Sequence, residues 1–342
     1  MGNAAPRQNL WAIILAGGEG VRLRPLIRRL FGDDRPKQYA RLLGSRSLLG
    51  QTVARAGLAV PRDRMVVVTH RAHGHYVAAE FGDGPGLAVL PQPYDRGTAA
   101  GVLYPACWIS WRDPDAIVAV FPSDHFILEE ARFMQHVVAA AELVRRSPER
   151  LVLLGARPTR PEPEYGWIQP AARITELEGE PVSEVEAFWE KPSPDVARRC
   201  FAQGHLWNTF VFVGTVQTLI DTGRRHVPML VRRLERIGAF AGTPHEAWAT
   251  HQAYLLAPRA NFSQDILEAC PERLAVSRLP NLTWCDWGTP ERVIESLRAA
   301  GLAPFWVDAL AAARPAGDSI GRAPEPLLAD EPATLAGTRA SA

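Results

Sequence analysis

The stretch LAGGEGVRLRP (Leu15 to Pro25), followed shortly by RPKQ (Arg35 to Gln38), decides how this chain is read. It leaves an apolar run, Trp11 to Leu15, that has the composition of a buried strand. Three glycines and two arginines then share one loop. Glycine lets a backbone approach a ligand closely, with N–H groups free to face phosphate oxygens. Arg22 and Lys37 add positive charge, so Leu15, Ala16, Gly17, Gly18, Gly20 and Arg22 become candidates for holding a polyphosphate. Taken alone, a Gly-rich turn after a strand is equally a tight connection. The stretch is neither of the two common phosphate loops. A Walker A loop needs Gly-Lys-Ser/Thr, and a dinucleotide loop needs a third glycine where Leu23 stands.

The chain has 342 residues, enough for one large α/β domain or two moderate ones, and 47% of them are apolar. Its net charge of +1 lacks the basic surplus expected of a protein that binds long nucleic acid. No run of about eighteen apolar residues suggests a membrane span. The N-terminus MGNAAPRQN is short and polar, unlike a secretory leader, and Pro6 stands where a myristoylation signal has Ser or Thr. Cys107, Cys200, Cys270 and Cys285 are scattered without a Cys-x-x-Cys pair. They read as reduced thiols of a cytoplasmic protein.

Apolar runs at Trp11–Ala16, Arg64–Thr69, Leu87–Pro91, Ala116–Phe121 and Leu151–Ala156 read as strands. Helical patterns at Ser47–Ala59, Ala72–Phe81, Thr98–Trp111 and Ala131–Arg146 lie between them. This alternation predicts an α/β fold with a doubly wound, mostly parallel sheet. Such sheets bind ligands beyond the carboxyl ends of their strands, where the Gly-rich loop and Ser123-Asp124-His125 both fall. From about Arg157 to Gly214, prolines and short strand-like runs suggest a mixed-sheet insertion. Helices follow from Thr215 to Ala257, with Pro228 and Pro244 at helix starts. A last strand runs up to Asp286, and Pro290–Ala300 is helical. The Ala-, Pro- and Gly-rich stretch Ala311–Ala342 reads as a tail without fixed structure.

Several residues carry potential chemistry. Asp124, in FPSDH, follows a wholly apolar strand and is either a Mg²⁺ ligand or a turn or helix cap. Asp286, in WCDWGTPERV, precedes a Thr289 N-cap and Pro290 at N1. Between two tryptophans its carboxylate needs a cation or donors, so it is a metal ligand or half of a structural ion pair. Glu190 and Lys191, in FWEKP, sit on a strand, where successive side chains face opposite sides. They are a pocket pair only if the strand bends, and otherwise a solvated edge. Gly97 and Thr98, in PQPYDRGTAAG, open a helix whose free N–H groups face a base or phosphate. His70, His73 and His75 cluster near a helix start with no acidic partner close by in sequence, and these and His125 read as solvated or satisfied histidines.

LAGG-x-G-x-RL, PKQ, the Ser47-Leu48-Leu49 helix start, PSDH, EKP and W-x-D-x-G occur in the order found in sugar-1-phosphate nucleotidyltransferases. From about Trp11 to Ala300 the chain resembles that family, and within it the mannose-1-phosphate guanylyltransferases most. The resemblance implies a Rossmann-like, GT-A-like fold over residues 1–310, with a nucleotide-binding half (about 1–156) and a sugar-binding half (about 157–310). It implies transfer of a nucleotidyl group from a nucleoside triphosphate, GTP by this likeness, to mannose 1-phosphate. Pyrophosphate is released and Mg²⁺ is required. Arg22, Lys37, Asp124 and Lys191 would be catalytic, and Asp124 and Asp286 would hold the metal. Gly166, Glu190, Lys191 and Asn208 would hold the sugar phosphate. Ser123, Gly97 and Thr98 would join the nucleotide site. A homodimer is compatible with this reading. Nucleic-acid and membrane partners are not expected. Neither is the cupin-type isomerase domain that follows the transferase in bifunctional members.

Three departures bear on specificity. Gly97 stands where Asn is common, Arg24 where guanylyltransferases usually have Trp, and Leu30–Asp34 lengthens the loop before RPKQ. Glucose 1-phosphate with UTP or another triphosphate is the alternative within the family. Outside it stands a glycosyltransferase of the same sheet type, although such enzymes usually show Asp-x-Asp where this chain has Ser-Asp-His. A sugar-nucleotide sensor without turnover would have no need of Lys37, Asp124 and Asp286 together.

Overall fold

The computed structural model describes residues 9–82, 86–304 and 306–307. The tail expected at 311–342 lies outside them. The chain begins with β1 (Leu10–Ala16), buried along its length. The Gly-rich turn and one 3₁₀ turn lead into α1 (Arg24–Phe31), which has Pro25 in its first turn. Gly32, at φ 76, ends α1 in the left-handed conformation that glycine adopts without cost. Leu30 and Phe31 therefore finish a helix and do not lengthen a loop. The side chain of Ser47 caps α2 (Leu48–Ala56) by accepting from Gly50 N. Then come β2 (Met65–His70), α3 (Gly74–Phe81), β3 (Leu87–Gln92), α4 (Gly97–Ser110) and β4 (Ile117–Pro122). The short β5 (Phe126–Ile127), α5 (Glu130–Arg146) and β6 (Leu151–Ala156) follow. Apart from α1 and β5, which the sequence pattern does not place, these agree with the expected elements to within a few residues, because apolar runs bounded by polar turns leave few alternatives.

The second half holds β7 (Trp167–Leu177), β8 (Glu180–Trp189), α6 (Pro194–Ala202), β9 (Leu206–Thr215), α7 (Val216–His226), α8 (Pro228–Glu235) and α9 (Glu246–Leu256). The chain's last elements are β10 (Leu274–Arg278), β11 (Trp284–Cys285) and α10 (Pro290–Ala299). The single last strand expected before Asp286 is thus two strands. Of these, β10 joins the main sheet and β11 pairs with β5 apart from it.

One nine-stranded sheet, ordered β3-β2-β1-β4-β9-β6-β10-β8-β7, runs through both halves. Only β8 and β9 oppose the direction of the other strands. Apolar clusters cover both faces: α4, α7 and α8 contribute to one, and α2, α3 and α5 to the other. A third cluster joins α1 and α10 around Trp287 and Trp306. In register, Leu15 lies beside Pro122, so the turns leaving β1 and β4 emerge together. The backbone N–H and hydroxyl of Ser123 both donate to the Leu15 carbonyl, at 3.1 and 2.7 Å.

The core also holds a titratable group. His136 on α5 is fully buried against the Ser277 hydroxyl of β10, at 2.9 Å. Burial lowers its pKa to about 4. Between that value and the ordinary histidine range the unfolded chain binds the extra proton, so stability rises with pH there. Urea unfolding is expected to show a loss on the order of 2–3 kcal/mol between pH 7 and pH 4.5 from this residue. His136→Gln should flatten that part of the profile, and an unchanged profile would assign the loss elsewhere.

Candidate active site

A cleft of ≈ 820 Å³ opens at the carboxyl ends of β1 and β4. Among its walls are Leu15, Gly17, Gly18, Arg22, Lys37, Gly97, Thr98, Ser123, Asp124, Lys191 and Asp286. Residues far apart in sequence thus meet in one cavity.

The Gly-rich turn is shaped by the residues after it. Gln38 Nε2 donates to the carbonyls of Ala16 (3.0 Å) and Gly18 (2.7 Å), and the Tyr39 hydroxyl donates to that of Ala16 (2.9 Å). In a trans peptide the N–H points away from the C=O. Tying these carbonyls back therefore turns the N–H groups of Gly17 and Glu19 the other way. Ala16 and Gly20 do not line the cleft themselves. Gly20 has φ 58, and a Cβ there would lie 2.9 Å from Lys37 N, so only glycine lets the turn pack on the lysine. Arg22 is half-exposed and pairs with Glu164 at 3.1 Å.

Lys37 is the centre of the site. It is buried, and its Nζ lies 2.9 Å from Asp124 Oδ2. The same nitrogen donates to the main-chain carbonyls of Asp286 (2.5 Å) and Trp287 (3.1 Å). Trp287 has φ 48, a conformation unusual for a bulky residue. Its stacking on Phe126 and its N–H bond to Ser296 help hold it there. Asp124 caps no helix, since α5 starts at Glu130.

The Asp286 carboxylate is held from several sides. Oδ1 accepts from the Tyr165 hydroxyl (2.6 Å), Gly288 N (3.0 Å) and Arg292 (3.2 Å). Burial alone would raise its pKa. Tyr165, Lys37 and Arg292 reverse that and keep it below the ordinary carboxylate value. Burial lowers His125, beside both aspartates, to about 4, against the pull of Asp124. Tyr165 and Arg292 gave no sequence signal beyond their residue types. Only folding sets them against Asp286.

Glu190 and Lys191 lie just past the end of β8, and not on it. Lys191 has φ 48, a bend that frees the pair from strand alternation. Lys191 lines the cleft; Glu190 does not. Gly166, Glu190 and Asn208 instead pack on one another. Asn208 N donates to the Gly166 carbonyl at 2.8 Å. A Cβ on Gly166 would sit 3.0 Å from both Asn208 Cβ and Glu190 Oε2. Burial raises the Glu190 pKa.

At the far end, Gly97 has φ 81, and Thr98 uses its hydroxyl to accept from Phe262 N at 2.8 Å. Gln92, at the end of β3, was not singled out in the sequence. It lines the cleft, and its Oε1 accepts from the buried Tyr254 hydroxyl at 3.1 Å, leaving the amide NH₂ as the free donor. His70 also lines the cleft, and His73 lies 3.5 Å from Glu19, an acidic neighbour outside the local sequence. Among the described residues no group of three or more His, Cys, Asp or Glu gathers to hold a metal unaided. No helix among them is long and apolar enough to cross a membrane.

A turn with its carbonyls tied back, a lysine against a carboxylate and a cleft at the carboxyl ends of parallel strands define an α/β protein with a polar cleft at its sheet edge. The chain belongs to the nucleotidyl transferase family, whose model matches residues 11–300. It is 30% identical over 284 residues to the xanthan biosynthesis protein XanB of Xanthomonas campestris pv. campestris, covering 81% of this chain and 57% of XanB. It is 28% identical over 225 residues to a mannose-1-phosphate guanylyltransferase of Escherichia coli, covering 64% of this chain and 47% of that one. The chain thus spans about half the length of these curated relatives. A solved structure described as mannose-1-phosphate geranyltransferase from Thermus thermophilus superposes with a TM-score of 0.72 at 29% identity. That superposition covers 84% of this chain and 79% of the other.

Proposed function

We propose that this protein transfers a nucleotidyl group from a nucleoside triphosphate, GTP in the first instance, to mannose 1-phosphate, and so supplies an activated sugar for polysaccharide assembly. The observation that carries this reading is Lys37, which joins Asp124 and the Asp286 peptide across from the freed turn amides. The names of the E. coli and Thermus relatives favour mannose, and that of XanB favours polysaccharide synthesis. A phosphate oxygen of the sugar phosphate attacks the α-phosphorus. As that P–O bond forms, the bond from the α-phosphorus to the bridging oxygen breaks, and pyrophosphate leaves with the electron pair. Nothing in this sequence calls for a covalent enzyme intermediate, so positioning and charge neutralisation supply the rate. The amides of Gly17 and Glu19 and the Arg22 side chain take the β and γ phosphates. Lys37 and Lys191 balance the charge where the two phosphates meet. Gly166, Glu190 and Asn208 pack on one another outside the cleft lining, so of the expected sugar-phosphate residues Lys191 is the one placed to meet the substrate.

The donor set suits Mg²⁺. Asp124 and Asp286 offer hard carboxylate oxygens and both line the cleft, where the Lys37 ammonium already rests on the Asp124 carboxylate and the Asp286 main-chain carbonyl. Magnesium is commonly held by one or two carboxylates with substrate phosphates and waters completing the shell. Here Asp124 and Asp286 would hold it, and it would supply electrostatic stabilisation of the α-phosphate. The proposed function is tested by crossing GTP, UTP, ATP, CTP and dTTP with mannose and glucose 1-phosphates in a pyrophosphate-release assay. GTP with mannose 1-phosphate should lead, and absence of pyrophosphate from every pair would overturn the reading.

The Gln92 amide adds a prediction on the base. A free NH₂ donor suits a base carbonyl, as in guanine or uracil, over the amino group of adenine or cytosine. Gln92→Leu is expected to raise the KM for GTP by roughly tenfold with kcat little changed, the value of one hydrogen bond in a desolvated site. A KM unchanged within twofold would place the base elsewhere.

A further inference from the structure

Behind Asp286 lies a second cavity of ≈ 610 Å³ that shares no lining residue with the first. Its walls include Arg157, Arg160, Arg278 and Arg292, together with the rings of Tyr165 and Trp207. Two observations mark it as a site. Trp207 is only 6% exposed, yet its indole N–H has no hydrogen-bond partner. By contrast, the neighbouring Trp167 donates to the Glu162 carbonyl at 2.9 Å. An orphaned buried donor is costly unless an acceptor meets it. The second observation is uneven charge. Arg278 is matched by Glu180 at 2.7 Å, and Arg292 by Glu162 and Asp286. Arg160 shares Glu162 at 3.3 Å and has Glu295 only at 3.8 Å. Among the described residues, no carboxylate pairs with Arg157.

We propose that this cavity binds an organic phosphate and is coupled to the active site through Arg292. Guanidinium groups match phosphoryl oxygens in a planar, bidentate way. Arg157 and Arg160 take the phosphoryl group, and the indole N–H of Trp207 on the cavity wall meets an oxygen of the organic part. The coupling path is a chain of ion pairs: Arg160 to Glu162, Glu162 to Arg292 at 2.5 Å, and Arg292 to Asp286 at 3.2 Å. A phosphate that draws Arg160 away leaves Glu162 wholly to Arg292. The hold of Arg292 on Asp286 then weakens, and the carboxylate is freer to take a divalent cation. The coupling rests on the function proposed above; the binding does not.

The test uses the full chain without nucleotide. Glucose 6-phosphate is titrated by calorimetry and soaked into crystals, with glucose as the uncharged control. The expected result is density in the second cavity and heat of binding from the phosphate only. Affinity should fall at least tenfold in Arg157→Ser/Arg160→Ser and severalfold in Trp207→Phe, which keeps the ring packing. Equal affinity in wild type and both variants, or density confined to the first cleft, would overturn the site. For the coupling, Mn²⁺ binding is followed by electron paramagnetic resonance with and without glucose 6-phosphate. A shift of about fivefold, the lower end of typical coupling, is expected in wild type and not in Glu162→Gln. No shift in wild type removes the coupling. Failure of pyrophosphate release with binding intact would sink the function and spare the site; turnover without binding would do the reverse.

Discussion

Asp124→Asn is expected to lower turnover by roughly two to three orders of magnitude, as loss of one aimed electrostatic group in a closed site usually does. The fold should survive. Asp124 is partly exposed, caps no helix, and has Lys37 as its nearest charged partner at 2.9 Å. Asparagine keeps the shape and one oxygen but removes the negative charge, so Lys37 would face a neutral amide while still bonded to the Asp286 and Trp287 carbonyls. The measurement is single-turnover pyrophosphate release alongside thermal unfolding. A rate within tenfold of wild type at unchanged Tm would take Asp124 out of the chemistry. Asp286→Asn should cost as much in rate and more in stability, because Tyr165, Gly288 and Arg292 all bond to that carboxylate. Leaving the buried Arg292 with fewer partners adds a desolvation cost.

Gly97→Ala is expected to destabilise the protein by about 2–5 kcal/mol and to raise the KM for the nucleotide. Two costs combine: a left-handed backbone for a residue with a Cβ, and overpacking. At φ 81 the added Cβ would lie 2.2 Å from the Ala260 carbonyl oxygen, a backbone atom that cannot simply rotate aside. That oxygen also accepts from Ala99 N, and Phe262 N bonds to Thr98, so the clash pulls on the loop that lines the cleft. A Tm loss of roughly 3–7 °C follows for a chain of this size. Gly97→Asn separates the two costs. Asparagine tolerates the left-handed region, but its Cβ meets the same oxygen. Equal losses for Ala and Asn would make the contact the dominant cost. Recovery in Asn alone would make it backbone strain.

The alternation of wholly apolar runs with helical periods was enough to place β1 to β4, β6 and α2 to α5. Their boundaries are set locally, by polar turns and a Ser47 cap. The Gly-rich turn and PKQ were legible for the same reason: the chemistry is contained in a short segment. What was misplaced depended on bends. Lys191 and Glu190 read as strand residues because alternation was assumed, and the positive φ at Lys191 lies outside any periodic pattern. Leu30 and Phe31 read as loop because α1 ends at Gly32, a stop visible only once a helix is known to precede it.

Hydrophobic order, a local property, was enough to read a mostly parallel α/β protein from sequence, and the Gly-rich turn, equally local, marked a candidate polyphosphate site at its sheet edge. Only the tertiary structure decided that the Lys37 ammonium sits between Asp124 and a peptide at Asp286, that Tyr165 and Arg292 clamp that aspartate, and that Gln92 presents a donor. Such contacts join segments with no shared period. They arise when strand order and crossovers bring distant chain ends to one edge, and short-range propensity carries no record of that.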